Sequence, residues 1–200
     1  MIKNEFTQDQ KDLLGEIGNI TMGNSATTLS MMVNQRVDIT TPRVELINRA
    51  QALDDYEKTC IFVQIHYVQG LTGNNVFILK EPDVLCMTDL MMGGPGNTQG
   101  EISELHLSAA SEAMNQMMGS AATSMATMLG IPVDISTPEV NRIDVESVKM
   151  FEKMFETPED IFVKVSFRIE IGELIDSIMV QLYPLRFAVE MCDKFYQNQN

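Results

Sequence analysis

Basic residues are few in this sequence, and they are not clustered. Its 200 residues include 14 Lys and Arg against 28 Asp and Glu, which gives a formal net charge of −14. Proteins that bind nucleic acid or anionic lipid present clustered positive charge, because that charge attracts phosphate groups. The composition therefore argues against both kinds of partner and favours one that is neutral or locally basic.

Long apolar runs are also missing. The sequence has no run of 18 apolar residues that could span a bilayer, and its first ten residues, MIKNEFTQDQ, lack the apolar core of a signal peptide. We therefore expect a soluble, cytoplasmic protein that does not insert into a membrane.

Cysteine and histidine are too few and too widely spaced for the common metal centres. Cys60, Cys86 and Cys192 each lie in an apolar stretch, which is typical of reduced thiols in a core. His66 and His106 have no second histidine or cysteine at ligand spacing. Phosphate-binding glycine loops and recognisable nucleophile triads are absent too. We expect no metal site and no cofactor of the chain's own.

The sequence does contain an internal repeat. Residues 12–42 align without a gap to residues 108–138 at an offset of 96, and VDITTP in the first copy lies over VDISTP in the second. Three identical pairs stand out: Glu16 with Glu112, Asn19 with Asn115, and Gly23 with Gly119. We interpret the chain as one duplicated domain. It would span residues 1–200, with repeats at about 8–92 and 104–196 and a glycine-rich linker at about 93–103.

Each repeat has the same predicted order of elements. A long helix comes first, at about 8–33 and 104–129, with Thr7 and Ser103 as N-caps. Stretches rich in valine, isoleucine and phenylalanine then predict strands that include a hairpin, and a second helix begins beside a proline. This order predicts an α+β fold with pseudo-two-fold symmetry. Because neither copy has enough strands alone, we expect one shared sheet flanked by helices.

One face of each long helix carries a polar stripe. At 100° per residue, Asp12, Glu16, Asn19 and Gly23 align on the first helix, while leucine and isoleucine residues up to Ile20 point towards the core. The matching stripe in the second copy consists of Ser108, Glu112, Asn115 and Gly119. Side chains at i and i+3 are neighbours, so the glutamate and the asparagine can contact one object together.

Glycines at positions 15, 18 and 23 are unfavourable inside a helix, each by about 1 kcal/mol relative to alanine. Two explanations fit them. They could give clearance, so that another molecule can approach the stripe closely, or they could allow tight packing of the helix against its own protein. Repetition of the stripe in both copies favours the first explanation, because an exposed face without a function would be free to diverge.

These residues resemble the signature of the CheC, CheX and FliY phosphatases of bacterial chemotaxis. The signature is an Asp or Ser, then Glu, Asn and a distant Pro, at fixed spacing. Both copies match it in full: Asp12, Glu16, Asn19 and Pro42, and again Ser108, Glu112, Asn115 and Pro138. The sequence around the signature is most similar to the middle domain of FliY-type members, which are components of the flagellar motor switch. We expect the two prolines to be structural and to end the strand that follows each helix.

The resemblance implies a substrate and a role for each residue. The substrate would be the aspartyl phosphate of the response regulator CheY, which holds its own Mg²⁺. Asn19 and Asn115 would orient the attacking water, since an amide can donate and accept hydrogen bonds without titrating. Glu16 and Glu112 would pair with the active-site lysine of the regulator.

The resemblance also implies partners and a location. Phosphorylated CheY is the expected partner, with FliM, FliN-like switch proteins or CheD as further candidates, at the cytoplasmic face of the flagellar basal body. Two alternatives stay open: a non-enzymatic switch scaffold that binds CheY, and a CheC-like phosphatase regulated by CheD. FliY-type members also carry a CheY-docking segment and a FliN-like domain, so the sequence leaves open a FliY fragment and a stand-alone relative.

Overall fold

The computed structural model of the protein describes residues 6–54, 56, 58–144 and 160–198. The helices in these ranges are α1 (Gln8–Val33), α2 (Glu81–Met91), α3 (Glu104–Leu129) and α4 (Leu185–Asn198). The strands are β1 (Val37–Asn48), β2 (Thr59–Gln69), β3 (Gly73–Lys80), β4 (Asp134–Ile135), β5 (Glu139–Asp144), β6 (Ile161–Ile171) and β7 (Ile175–Pro184). A short 3-10 turn, Arg49–Gln51, follows β1. None of the described helices has the length and apolarity needed to cross a bilayer.

The described strands form one antiparallel sheet. Its order is β1-β6-β7-β3-β2, and both β4 and β5 pair with the remaining edge of β2. Helices and sheet together confirm the predicted α+β class. They also confirm that the two copies share a single sheet.

The two repeats exchange their first strands. β1 of the first repeat pairs with β6 of the second, from Val37 opposite Ile171 to Asn48 opposite Ile161. In return, β4 and β5 of the second repeat pair with β2 of the first, and the two hairpins meet where β3 pairs with β7. Each repeat thus completes its sheet with a strand from the other. The sequence predicted sharing but not this exchange.

The long helices α1 and α3 begin and end at matching positions. Thr7 and Ser103, the predicted N-caps, each accept a hydrogen bond from the backbone N–H three residues further on. Each helix ends in a left-handed residue, Asn34 with φ 53° and Gly130 with φ 67°. These C-caps are also 96 residues apart, so the repeat fixes both ends of the helix.

α1 and α3 pack against each other in antiparallel orientation through polar contacts. Asn24 Nδ2 donates to Ser124 Oγ at 2.6 Å, and the hydroxyls of Thr28 and Ser120 share a hydrogen bond at 2.5 Å. In the offset of 96, Asn24 corresponds to Ser120 and Thr28 to Ser124. Each contact is therefore the symmetry image of the other, and the pseudo-two-fold axis passes between the helices.

The main core lies between the sheet and the helices. Each described α-helix contributes buried side chains to it, for example Leu14 from α1, Val84 from α2, Met117 from α3 and Met191 from α4. On the opposite face of the sheet, Phe62 and Phe162 are covered by Ala52 and Tyr56. The helix layer therefore has its outer surface directed away from the sheet.

The three cysteines are buried and free, as the sequence predicted. Burial raises the pKa of Cys60 and of Cys192 to about 12. These thiols stay protonated at neutral pH and are poor nucleophiles, because the thiolate is the reactive form.

The segment between the repeats, 93–103, contains no helix or strand and is held by a carboxylate. Asp89 Oδ2 accepts hydrogen bonds from the backbone N–H groups of Gly96 and Asn97, each at 2.8 Å. These bonds stabilise the ionised form and hold the pKa of Asp89 below its usual value.

Two expectations about individual residues were wrong. Ile20 was expected to face the core, but it is 42% exposed. It follows Asn19 directly in the sequence and therefore lies at the flank of the polar stripe.

Pro42 was expected to end the strand, but β1 continues through it with a bulge between Thr40 and Arg43. A proline cannot donate to the ladder, and a bulge in an edge strand accommodates it. Pro138 does separate β4 from β5.

The glycines of α1 do not all serve one purpose. A Cβ built at Gly18 would lie 3.0 Å from the ring of Phe167 in β6, so this glycine lets the helix pack closely on the sheet. A Cβ at Gly23 would meet nothing within 4 Å. The packing explanation therefore holds for Gly18, and clearance remains the explanation for Gly23.

We predict different effects of leucine on stability at these two positions. Gly18→Leu should lower the free energy of unfolding by about 2 to 3 kcal/mol, because the new side chain overpacks the site beside Phe167. Gly23→Leu should leave it equal or raise it by about 0.5 kcal/mol, since leucine is the better helix former. Urea unfolding of the two variants and the parent measures this, and equal stability of the two variants would contradict the packing assignment.

Candidate functional site

The first polar stripe lies on the outer surface of α1. Asp12, Glu16, Asn19 and Gly23 are all exposed. Asp12 Oδ1 accepts a hydrogen bond from Gln8 Nε2 at 2.8 Å. Within the part of the chain that the structure describes, no residue makes a hydrogen bond to the side chains of Glu16 and Asn19, so both are available to a partner.

The second stripe repeats this arrangement on α3. Ser108, Glu112, Asn115 and Gly119 are exposed as well. Here Glu112 Oε1 accepts a hydrogen bond from Gln116 Nε2 at 3.0 Å. The carboxylate of the second stripe is therefore held by its own helix, whereas that of the first is not.

The surface around both stripes is shallow. A Cβ built at Gly23 or at Gly119 would have no heavy atom within 4 Å, so neither glycine is required by internal packing. Both are open to approach from outside. A flat ridge of this kind lets the backbone of another protein come close to the asparagine one turn earlier.

The two stripes are far apart. The contacts between Asn24 and Ser124 and between Thr28 and Ser120 fix the antiparallel register of the helices. With a rise of 1.5 Å per residue, this register separates the two Glu/Asn pairs by about 25 Å along the helix axes. Each pair can therefore engage a separate partner molecule.

The two signature prolines have different surroundings. Pro42 is half-buried and borders a groove of about 400 Å³ together with Asp12 and Gly15. Pro138 is buried, and its carbonyl oxygen accepts a hydrogen bond from Ser111 Oγ at 3.4 Å. The prolines shape the base of each stripe and do not belong to its exposed surface.

Sequence reasoning missed two residues beside the second stripe, Ser111 and Gln116, and the repeat contained the signal for both. The alignment at an offset of 96 pairs Ile20 with Gln116 and Gly15 with Ser111. A comparison of the stripes for differences, and not only for identities, would have singled out these positions. They determine how each stripe differs from the other.

The chemistry available at each stripe is a carboxylate and a carboxamide in neighbouring turns. The carboxylate can bind a cation, and the amide can donate to one group while it accepts from another. Within the described ranges, no group of three or more His, Cys, Asp or Glu residues gathers in a way that could hold a metal ion. His106 is occupied at the start of α3, where its Nδ1 accepts the Ser103 N–H at 2.9 Å.

Comparisons with known proteins place this geometry in a family. The family model described as CheC-like family matches residues 10–46 and 105–142, the segments that contain the two stripes. The crystal structure of Thermotoga maritima FliY is similar over 100% of both chains, with 38% sequence identity and a TM-score of 0.90. The chain belongs to the CheC-like family. Its fold matches that of the T. maritima FliY structure, and each segment matched by the family model contains one polar stripe.

Two curated relatives from Bacillus subtilis (strain 168) are also similar. The flagellar motor switch phosphatase FliY is 42% identical over 198 residues, which is 98% of this chain and 52% of that protein. The CheY-P phosphatase CheC is 27% identical over 147 residues, 70% of this chain and 69% of that protein. The chain thus spans about half the length of its FliY relative.

Side chains that serve only a partner should be dispensable for folding. We predict that Glu16→Gln and Asn19→Ala together change the free energy of unfolding by less than about 0.5 kcal/mol, because both side chains are exposed and bonded to no described residue. Urea unfolding measures the effect. A loss of 2 kcal/mol or more would show that the stripe is a structural element.

Proposed function

We propose that this chain hydrolyses the aspartyl phosphate of a CheY-type response regulator. The observation that carries the proposal is the pair of exposed Glu/Asn sites on equivalent helices of a CheC-like fold. The names of the relatives, flagellar motor switch phosphatase FliY and CheY-P phosphatase CheC, support the same activity.

In this proposal the asparagine is the catalytic residue of each site. An aspartyl phosphate is a mixed anhydride, so what a catalyst must supply is mainly a water molecule held in line with the phosphorus. The side-chain amides of Asn19 and Asn115 suit this role because each can accept from the water and donate to a phosphoryl oxygen. The phosphoryl group passes to water, inorganic phosphate leaves, and the regulator regains its carboxylate.

The glutamate of each site docks the substrate. Glu16 and Glu112 would pair with a lysine beside the phosphorylated aspartate, which fixes the regulator on the helix. We propose that the Mg²⁺ needed for charge neutralisation belongs to the regulator. This division of roles leaves the enzyme to supply position and hydrogen bonds.

The proposal includes a location and further partners. A place at the flagellar motor switch, on the cytoplasmic side, agrees with the name of the FliY relative. FliM, FliN-like proteins and CheD are the candidate partners there. The second candidate function is a switch scaffold that binds the regulator through the same helices without hydrolysing it.

Loss of phosphorylated regulator over time tests the activity. We predict that the wild-type chain accelerates the decay and that Asn19→Ala combined with Asn115→Ala reduces the acceleration by roughly 100-fold or more, as expected when a well-placed polar group is removed. Each single variant should retain the contribution of the intact site. The readout is the remaining acyl phosphate, or released inorganic phosphate, at several times.

Asn24→Ala is a matched control, because Asn24 lies on the same helix but bonds to Ser124 between the helices. It should dephosphorylate the regulator at the wild-type rate. If the wild-type chain does not accelerate the decay of the phosphorylated regulator, the scaffold remains as the candidate function. Acceleration that survives in the double variant would remove the asparagines from the mechanism.

A further inference from the structure

The first site borders an open groove, whereas in the second copy two of the equivalent residues, Ser111 and Pro138, are joined by a hydrogen bond. The groove has a volume of about 400 Å³ and lies between the first half of α1 and the bulged part of β1. Its lining residues are Gln8, Lys11, Asp12, Gly15, Pro42 and Val44.

Gly15 lines the groove without adding a side chain to it. A Cβ at this position would lie 3.7 Å from Val44 Cγ2, at van der Waals contact, and glycine leaves this space free. The second copy has Ser111 here, and its hydroxyl donates to the Pro138 carbonyl at 3.4 Å. Pro138 is buried while Pro42 is only half-buried. The first copy therefore has glycine and an open groove at this position, whereas the second copy has serine and a hydrogen bond to the proline.

The groove is continuous with the first stripe. Asp12 lines it and lies one helical turn before Glu16, which is about 6 Å along the axis. A protein that contacts Glu16 and Asn19 would also cover the groove, because a standard interface extends over far more than one turn of helix.

The lining indicates what kind of side chain would fit. Pro42 and Val44 contribute apolar surface to the groove, and Asp12 and Lys11 contribute one charge of each sign. The exposed carboxylate of Asp9, one turn before Asp12, makes the surroundings more acidic. An aliphatic stem with a cationic head matches this combination, since lysine and arginine bury their stems while the charge stays near water.

A neighbouring tyrosine reports the same acidity. Partial burial raises the pKa of Tyr196 in α4, and Cys192, Asp9, Asp12 and Asp193 raise it further. Asp9 and Asp12 contribute to this shift because their negative charge disfavours the tyrosinate.

We propose that this groove is a specificity subsite that receives one lysine or arginine side chain of the docked response regulator, and that Gly15 restricts it to the first site. The inference rests on the proposed function, in that the regulator is the protein docked on Glu16 and Asn19. It adds a contact that strengthens binding at one site without taking part in hydrolysis.

The test uses the whole 200-residue chain with substitutions that leave only one site able to bind. Glu112→Lys with Asn115→Ala removes the second site by placing a positive charge where the regulator's lysine should dock. The affinity of this single-site chain is then measured for a regulator activated with beryllofluoride, a stable mimic of the acyl phosphate. Hydrolysis of the authentic phosphorylated regulator is measured separately on the chain with both stripes intact.

Gly15→Ser introduces the residue of the second copy and should close the groove. In the single-site chain it should weaken binding about tenfold, as expected when one buried interface contact is lost. Gly15→Ala should weaken it less, because it fills part of the space and cannot bond to Pro42. Neither change threatens the helix, since serine and alanine are both better helix formers than glycine. Met31→Ser, on the exposed far end of α1, is the control that should not alter binding.

Asp12→Ser, which copies Ser108, tests the charge of the occupant. It should weaken binding at low salt, and the difference from the parent should shrink as salt is raised, because screening reduces an exposed ionic contact. An effect that is the same at both salt concentrations would overturn the basic occupant.

The outcomes separate this subsite from the proposed phosphatase activity. Weaker binding in Gly15→Ser supports the subsite even if the wild-type chain fails to accelerate hydrolysis. Unchanged binding in Gly15→Ser overturns the subsite even if hydrolysis is fast. Failure of the activated regulator to bind the single-site chain overturns it as well.

Discussion

The exchange of first strands between the two repeats is the constraint on which the rest of the structure depends. β1 completes the sheet of the second repeat on β6, and β4 with β5 completes that of the first on β2. Because α1 and α3 are joined to the exchanged strands by short connections, the exchange also places these helices side by side on one face of the sheet. The contacts of Asn24 and Thr28 with the opposite helix then fix their register.

This arrangement explains how a helix rich in glycine and polar residues can be both stable and exposed. The inner face of α1 is anchored by side chains such as Leu14 and by the close approach of Gly18 to Phe167. The outer face is exposed, and there Glu16 and Asn19 make no side-chain hydrogen bond to any residue that the structure describes. Duplication repeats the same division on α3, and antiparallel packing keeps the two exposed faces apart. A chain built this way exposes two similar polar stripes on one helix layer.

Much of this could be predicted from the sequence, and the remainder required three-dimensional contacts. Helix bounds followed from caps and from the repeat, and the exposed stripe followed from helical periodicity. The strand exchange could not be predicted, because a repeat shows that two segments are alike but not which partner each strand chooses. Ile20 was misplaced because it lies at the border between the faces of α1. The groove beside Gly15 depends on β1 passing under the helix, which no local pattern contains.

The central claim is that symmetry gives the chain two separate docking sites for a phosphorylated regulator. The most direct test is the number of regulator molecules that one chain binds at saturation, measured by sedimentation or calorimetry with the beryllofluoride-activated form. Two molecules per chain are predicted, since the Glu/Asn pairs are about 25 Å apart on the same exposed helix layer. Binding of a single molecule at saturation would contradict the claim.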